Sequence, residues 1–138
     1  METDLLNTLV TEAIWRAEEL EALGKRPALS AWEDVSRIEE QLAKALPVSE
    51  AQGRIARRGA VDAALKAGDY DRAQALADAY IAEEAAPDSL KTALREILEE
   101  ADQEIASRFQ HAAKHHTPRE AREFARRFSE AGAFGMAA

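Results

Sequence analysis

Leu65-Lys66-Ala67-Gly68-Asp69-Tyr70-Asp71-Arg72-Ala73 decides the fold, because it reads as the tight turn inside a helical hairpin. Gly68 closes the preceding helix in the left-handed conformation, which its missing Cβ permits without a clash. Asp69 then caps the next helix by accepting from its unpaired backbone N–H groups. Tyr70 supplies a ring at the hairpin corner, and Ala73 is small where two antiparallel helices cross closely.

Helical periodicity spreads from this turn in both directions, and aromatic and β-branched residues are too scarce for a sheet. Upstream, Ser49-Glu50-Ala51-Gln52 reads as a capping box into a helix that ends at Gly68 and holds Gly53 and Gly59 in its interior. Each interior glycine costs about 1 kcal/mol relative to alanine. Two in one helix imply close packing, with Ala56, Gly59, Ala60 and Ala63 as a narrow face for a neighbouring backbone. Pro47 ends the helix before it, which starts at Pro27 or at the box Ser30-Ala31-Trp32-Glu33. The first helix spans about Thr3 to Leu23, with Leu5, Leu6, Leu9, Val10, Ala13, Ala17 and Leu20 as its core-facing stripe. Trp15 and Trp32 are expected in the core between these two helices. Downstream, a fourth helix runs from Tyr70 to about Glu84. Asp88 caps a fifth that reaches about Ala113, turning Leu90, Leu94, Ile97, Leu98, Ala101, Ile105 and Phe109 inward. Thr117-Pro118-Arg119-Glu120 opens a sixth, ended by Gly132. The expected fold is all-α, one domain over residues 1–132 with about six antiparallel helices as three helical hairpins, followed by a short tail at 133–138.

Gly-Asp-Tyr-Asp-Arg-Ala at 68–73 resembles the middle of a tetratricopeptide repeat, where Gly-Asp-Tyr-Asp-x-Ala is a common form. Trp15 to Val35 lies on the same template with one residue deleted after Gly24. Ala17 and Leu20 fall in its first helix, Gly24 at its turn, and Ala28, Ala31, Trp32 and Val35 in its second. Arg57, Val61 and Ala64 depart from the family, standing where it has a large aromatic, a small residue and a second aromatic. Ala77 and Tyr80 exchange the family's large and small positions. The two turn glycines are 44 residues apart, against about 34 in the family repeat. The resemblance covers roughly residues 3–85. It implies a TPR-like stack with a concave groove in which arginines clamp a partner's carboxylate. An unrelated helical bundle carries the same helix and loop signals.

Composition narrows the function classes. A chain of 138 residues without cysteine builds neither disulfides nor thiolate metal sites, which points to the cytoplasm. The start Met1-Glu2-Thr3-Asp4 lacks a basic, apolar leader, and no stretch approaches the roughly 18 apolar residues of a membrane span. The net charge of −8 argues against nucleic acid as a partner. It is unevenly distributed, −11 over residues 1–104 and +3 over 105–138.

Chemistry-bearing patterns are sparse. His111 and His115 share a helical face, but a zinc site needs three or four ligands, and beyond Glu104 on the same helix no third presents itself. No metal site and no cofactor are expected. The clusters Glu18/Glu19/Glu21, Glu39/Glu40, Glu83/Glu84 and Glu99/Glu100/Asp102/Glu104 read as solvated faces rather than catalytic pairs. No nucleophile elbow or phosphate loop occurs, so the chain reads as a non-enzyme. Arg54, Arg57 and Arg58 on the third helix, and Arg119, Arg122, Arg126 and Arg127 on the sixth, suit acidic groups of a partner or internal salt bridges. The leading expectation is an adaptor-type module that binds a partner protein or peptide through Arg54, Arg57 and Arg58, with Tyr70 and Tyr80 as aromatic walls. The alternative is an acidic chaperone or immunity-type neutraliser of a basic protein. A metal-dependent helical enzyme using His111 and His115 comes third, and a homodimer is compatible with all three.

Overall fold

The computed structural model describes residues 2–24 and 26–115, and side chains for 3–24 and 26–110. Within them the chain forms five helices, α1 (Glu2–Ala22), α2 (Pro27–Ala45), α3 (Ala51–Lys66), α4 (Tyr70–Ile81) and α5 (Asp88–His115). No strand occurs among the described residues. The helix expected over 117–132 and the tail at 133–138 lie outside them.

Consecutive helices pack antiparallel. Among the described residues α3 touches α2, α4 and α5, whereas α1 touches α2 alone. The turn after α3 has the form that its residues dictate. Gly68 sits at φ 77°, its N–H donates to the Leu65 carbonyl at 2.9 Å, and the Asp69 N–H reaches back to Ala64 at 2.9 Å. These two bonds satisfy carbonyls that the helix end leaves open, in a Schellman closure. Asp69 then accepts from the Arg72 N–H at 3.1 Å and caps α4. Gly24, at φ 66°, makes the corresponding bend after α1.

The two expected capping boxes do not form. The first turn of α2 already begins at Pro27, whose fixed φ suits it, so Ser30 lies inside the helix. Glu50 rather than Ser49 flanks α3, with extended backbone and no side-chain cap. Arg54 organises that corner instead, its Nη1 donating to the carbonyls of Val48 and Ser49 at 3.1 and 2.8 Å.

The interior is built largely from alanine. Ala17, Ala60, Ala64, Ala73 and Ala77 are fully buried among Val35, Leu42, Val61, Leu90 and Leu94, and such small side chains let α3 sit close to its neighbours. The two glycines within α3 mark the closest approaches, as their cost in helix propensity suggests. A Cβ on Gly53 would overlap the Pro47 carbonyl, and one on Gly59 would come within 2.8 Å of the Glu39 carboxyl.

Trp32 is buried as expected, but Trp15 is not in the core and is 64% exposed. Leu5 and Leu9 are exposed as well. Among the described helices only α2 packs against α1, and it covers the side bearing Val10 and Ala17, with Leu6, Ala13, Ile14 and Leu20 at its margins. Along α5 burial falls off from Leu90 and Leu94 to half-buried Ile97, Leu98, Ala101, Ile105 and Phe109.

Candidate functional site

An open groove of about 690 Å³ lies where the end of α1, the start of α2 and the end of α3 face α5. Trp32 forms its floor and is held on two sides. Its Nε1 donates to Glu21 Oε2 at 2.7 Å, and the Lys66 ammonium stands 4.5 Å from the ring centroid, close enough for a cation–π contact. Lys66 also pairs with Asp62 at 3.3 Å. The opposite wall is one face of α5, because Ile97, Glu100, Ala101, Glu104 and Arg108 recur at three and four residues. Arg108 Nη2 pairs with Glu104 at 2.6 Å. Among the described residues the lining carries four carboxylates, Glu21, Asp62, Glu100 and Glu104, against the two cations Lys66 and Arg108.

The structure separates the five residues expected to form a binding site. Tyr70 lines the groove, half-buried at the hairpin corner. Arg58 is exposed on α3, one turn before Asp62 and three residues after exposed Ile55, and so shares their face. Arg54 is spent on the carbonyls before α3. Arg57 and Tyr80 are 6% and 8% exposed and pack in the interior. Arg57 donates through Nη1 to the carbonyls of Leu46 and Gly53 at 3.1 and 2.8 Å, and through Nε to Glu83 at 2.9 Å. Its guanidinium carbon lies 5.6 Å from the Tyr80 ring centroid. Burial, with the Glu40 charge added, pushes the Tyr80 hydroxyl up to about 12.

A second polar set joins α2 to α3 and α4. Ser36 Oγ donates to the Ala60 carbonyl at 2.7 Å, Arg72 Nε donates to Ser36 Oγ at 3.0 Å, and Arg72 Nη2 pairs with Glu40 at 2.7 Å. Burial alone would raise the Glu40 pKa, but the hydrogen bond and charge of Arg72, aided by Lys44, hold it below the ordinary value. Its neighbour Glu39 has no such partner. Burial pushes the Glu39 carboxyl up from 4.5 to about 7. Between those values the folded chain holds a proton that the unfolded chain releases, so stability is full below pH 4.5 and falls as pH rises through 7. After allowance for residual solvent, the loss is on the order of 2 kcal/mol. Glu39→Gln is expected to remove this part of the pH dependence and to stabilise the chain at pH 8. Urea unfolding of wild type and variant at pH 5 and pH 8 measures it, and equal differences at both pH values would refute the assignment.

The sequence offered no pattern for the Trp32–Glu21 pair or the Glu39–Gly59 contact, since the partners come from different helices. The legible trace of the second is Gly59 itself, a glycine where a helix would prefer another residue. The fold and groove define an all-α protein with antiparallel consecutive helices. No family model matches the chain, and no curated protein or solved structure does. Among the described residues no helix is long and apolar enough to cross a membrane, and no group of three or more His, Cys, Asp or Glu is placed to hold a metal. His111 and His115 fall at the end of α5 with their side chains outside the described residues, and His116 lies outside them altogether.

Proposed function

We propose that the protein is a protein-interaction module, a tetratricopeptide-like stack of helical hairpins whose groove receives a cationic segment of a partner protein. The observation that carries this reading is the open, acid-lined groove floored by Trp32. An aromatic floor offers apolar contact and a cation–π surface, while surplus carboxylates steer basic side chains toward it. The contact of α3 with α5 supports the stack, because alternate helices meet along the inner side of such an array. Tyr70 then acts as a rim contact. The reading assigns the chain no catalysis and no cofactor, and its lack of cysteine suits the cytoplasm.

A second reading, a neutraliser of a basic protein, draws on the −11 charge of residues 1–104 and spreads the contact over the whole acidic body. One experiment separates the two. Partner capture from the source cell's lysate is compared at low and high salt for wild type and the double variant E100K/E104K. The groove reading expects a salt-labile partner whose retention falls about tenfold or more in the variant. The spread-charge reading expects a small, graded loss, matched by reversing exposed acids elsewhere, such as Glu18 and Glu19. A partner held equally by every variant at both salt concentrations would remove both readings.

A further inference from the structure

We infer that α1 is a self-association helix, and that two copies of this chain pair their α1 helices antiparallel along the face that α2 leaves uncovered. The starting observation is the exposure of Leu5, Leu9 and Leu23, at 60%, 40% and 68%. Leu23 continues the helical path beyond α1, its N–H donating to the Glu19 carbonyl at 3.2 Å. Positions 5, 9, 12, 16, 19 and 23 advance by alternating steps of four and three. That is the spacing of a helix–helix seam, and it makes one stripe about 27 Å long.

The stripe complements itself at its two ends and at its middle, with Leu9 and Glu19 as the unmatched positions between them. Leucines stand at its two ends, and Glu12 and Arg16 stand side by side at its middle. A two-fold axis at the level of Ile14 sets Leu5 against Leu23 of the second copy and Glu12 against Arg16 of the second copy, and each contact then occurs twice. Leu9 then meets Glu19 of the second copy, so the apolar contacts are those of Leu5 with Leu23. A helix matched to itself in this way fits a second copy better than a partner of one charge sign, which would meet a like charge at Glu12 or at Arg16.

The central charges are available for this contact. Four other pairs at the same spacing of four residues do close within the chain, Arg37–Glu33, Lys44–Glu40, Lys66–Asp62 and Arg108–Glu104. Glu12 and Arg16 form no ion pair with each other or with another described residue. The stripe residues Leu9, Glu12 and Arg16 also line a furrow of about 420 Å³ between α1 and α2, to which Asp34 and Arg37 add one charge of each sign. This face is distinct from the acid-lined groove, to which α1 contributes Glu21.

The test is sedimentation equilibrium of the full chain from micromolar to millimolar concentration. Wild type is expected to show a monomer–dimer equilibrium. E12R and R16E each place like charges at both central contacts and are expected to weaken the dimer by about tenfold or more. Mixed in equal amounts, the two variants place opposite charges across both contacts, and dimerisation returns to the wild-type level. Both residues are exposed, so the circular dichroism spectra should match wild type. A wild-type chain that stays monomeric at millimolar concentration would overturn the proposal. So would a dimer indifferent to both reversals, or a mixture that fails to recover.

Discussion

Gly53→Ala is expected to destabilise the chain by about 3 kcal/mol, even though alanine is the better helix former by about 1 kcal/mol. The added Cβ would overlap the Pro47 carbonyl oxygen, lie 2.9 Å from its carbon and press to 3.1 Å of Arg57 Nη1. Pro47 is backbone at a fixed corner, and the turn behind it is bound to Arg54 through Val48 and Ser49. The overlap is therefore relieved only by moving α3 away from the α2–α3 connection. Gly24→Ala is the control, since open space surrounds that position and its φ of 66° is the sole obstacle. That substitution should cost about 1 kcal/mol. Thermal and urea unfolding of the two variants test the contrast, with a melting temperature for Gly53→Ala lower by about 10 °C. A loss no larger than that of Gly24→Ala would show that the Pro47 corner yields.

Arg57→Ala is expected to cost about 4 kcal/mol, within the range seen when one member of a buried charged set is removed. The guanidinium satisfies two backbone carbonyls and one carboxylate at once, and its stem fills space beside Tyr80. Truncation leaves the acceptors of Leu46 and Gly53 without this donor and opens a void. Arg57→Lys keeps the charge but cannot reproduce a planar fork reaching three acceptors, and should cost about 2 kcal/mol. Glu83→Ala should cost about 1 kcal/mol, because the Glu83 side chain is 30% exposed and solvent takes over part of its role. Urea denaturation of the three variants gives the order. Equal losses for Arg57→Ala and Glu83→Ala would assign the whole effect to the ion pair and none to the carbonyls. Because Gly53 both accepts from Arg57 and abuts Pro47, the Gly53 and Arg57 effects should not add.

These two residues also show where the sequence is readable and where it is not. The hairpin turn was legible because its determinants are local, with Gly68, Asp69 and the N–H of Arg72 all within five residues. The helical periodicity of the chain was legible for the same reason. Arg57 was not, because its acceptors come from positions 46, 53 and 83, and no local pattern distinguishes a buried guanidinium from a solvated one. Trp15 was misplaced for a related reason. Amphipathic spacing tells which side of a helix prefers burial, but not how many neighbours it will have, and among the described helices α1 has one. The carboxylate-rich groove was not legible either, since its walls come from helices far apart in sequence.

Among the described helices the attachment of α1 along one side implies an uneven hierarchy of opening. A helix shared by several neighbours is released only when the whole domain unfolds, whereas one docked on a single helix departs in a local excursion of lower free energy. Departure of α1 would also withdraw Glu21 from the indole of Trp32 and take away one bank of the groove. A molecule bound across both banks would therefore act as a clasp, holding α1 in place and raising the free energy of this local opening.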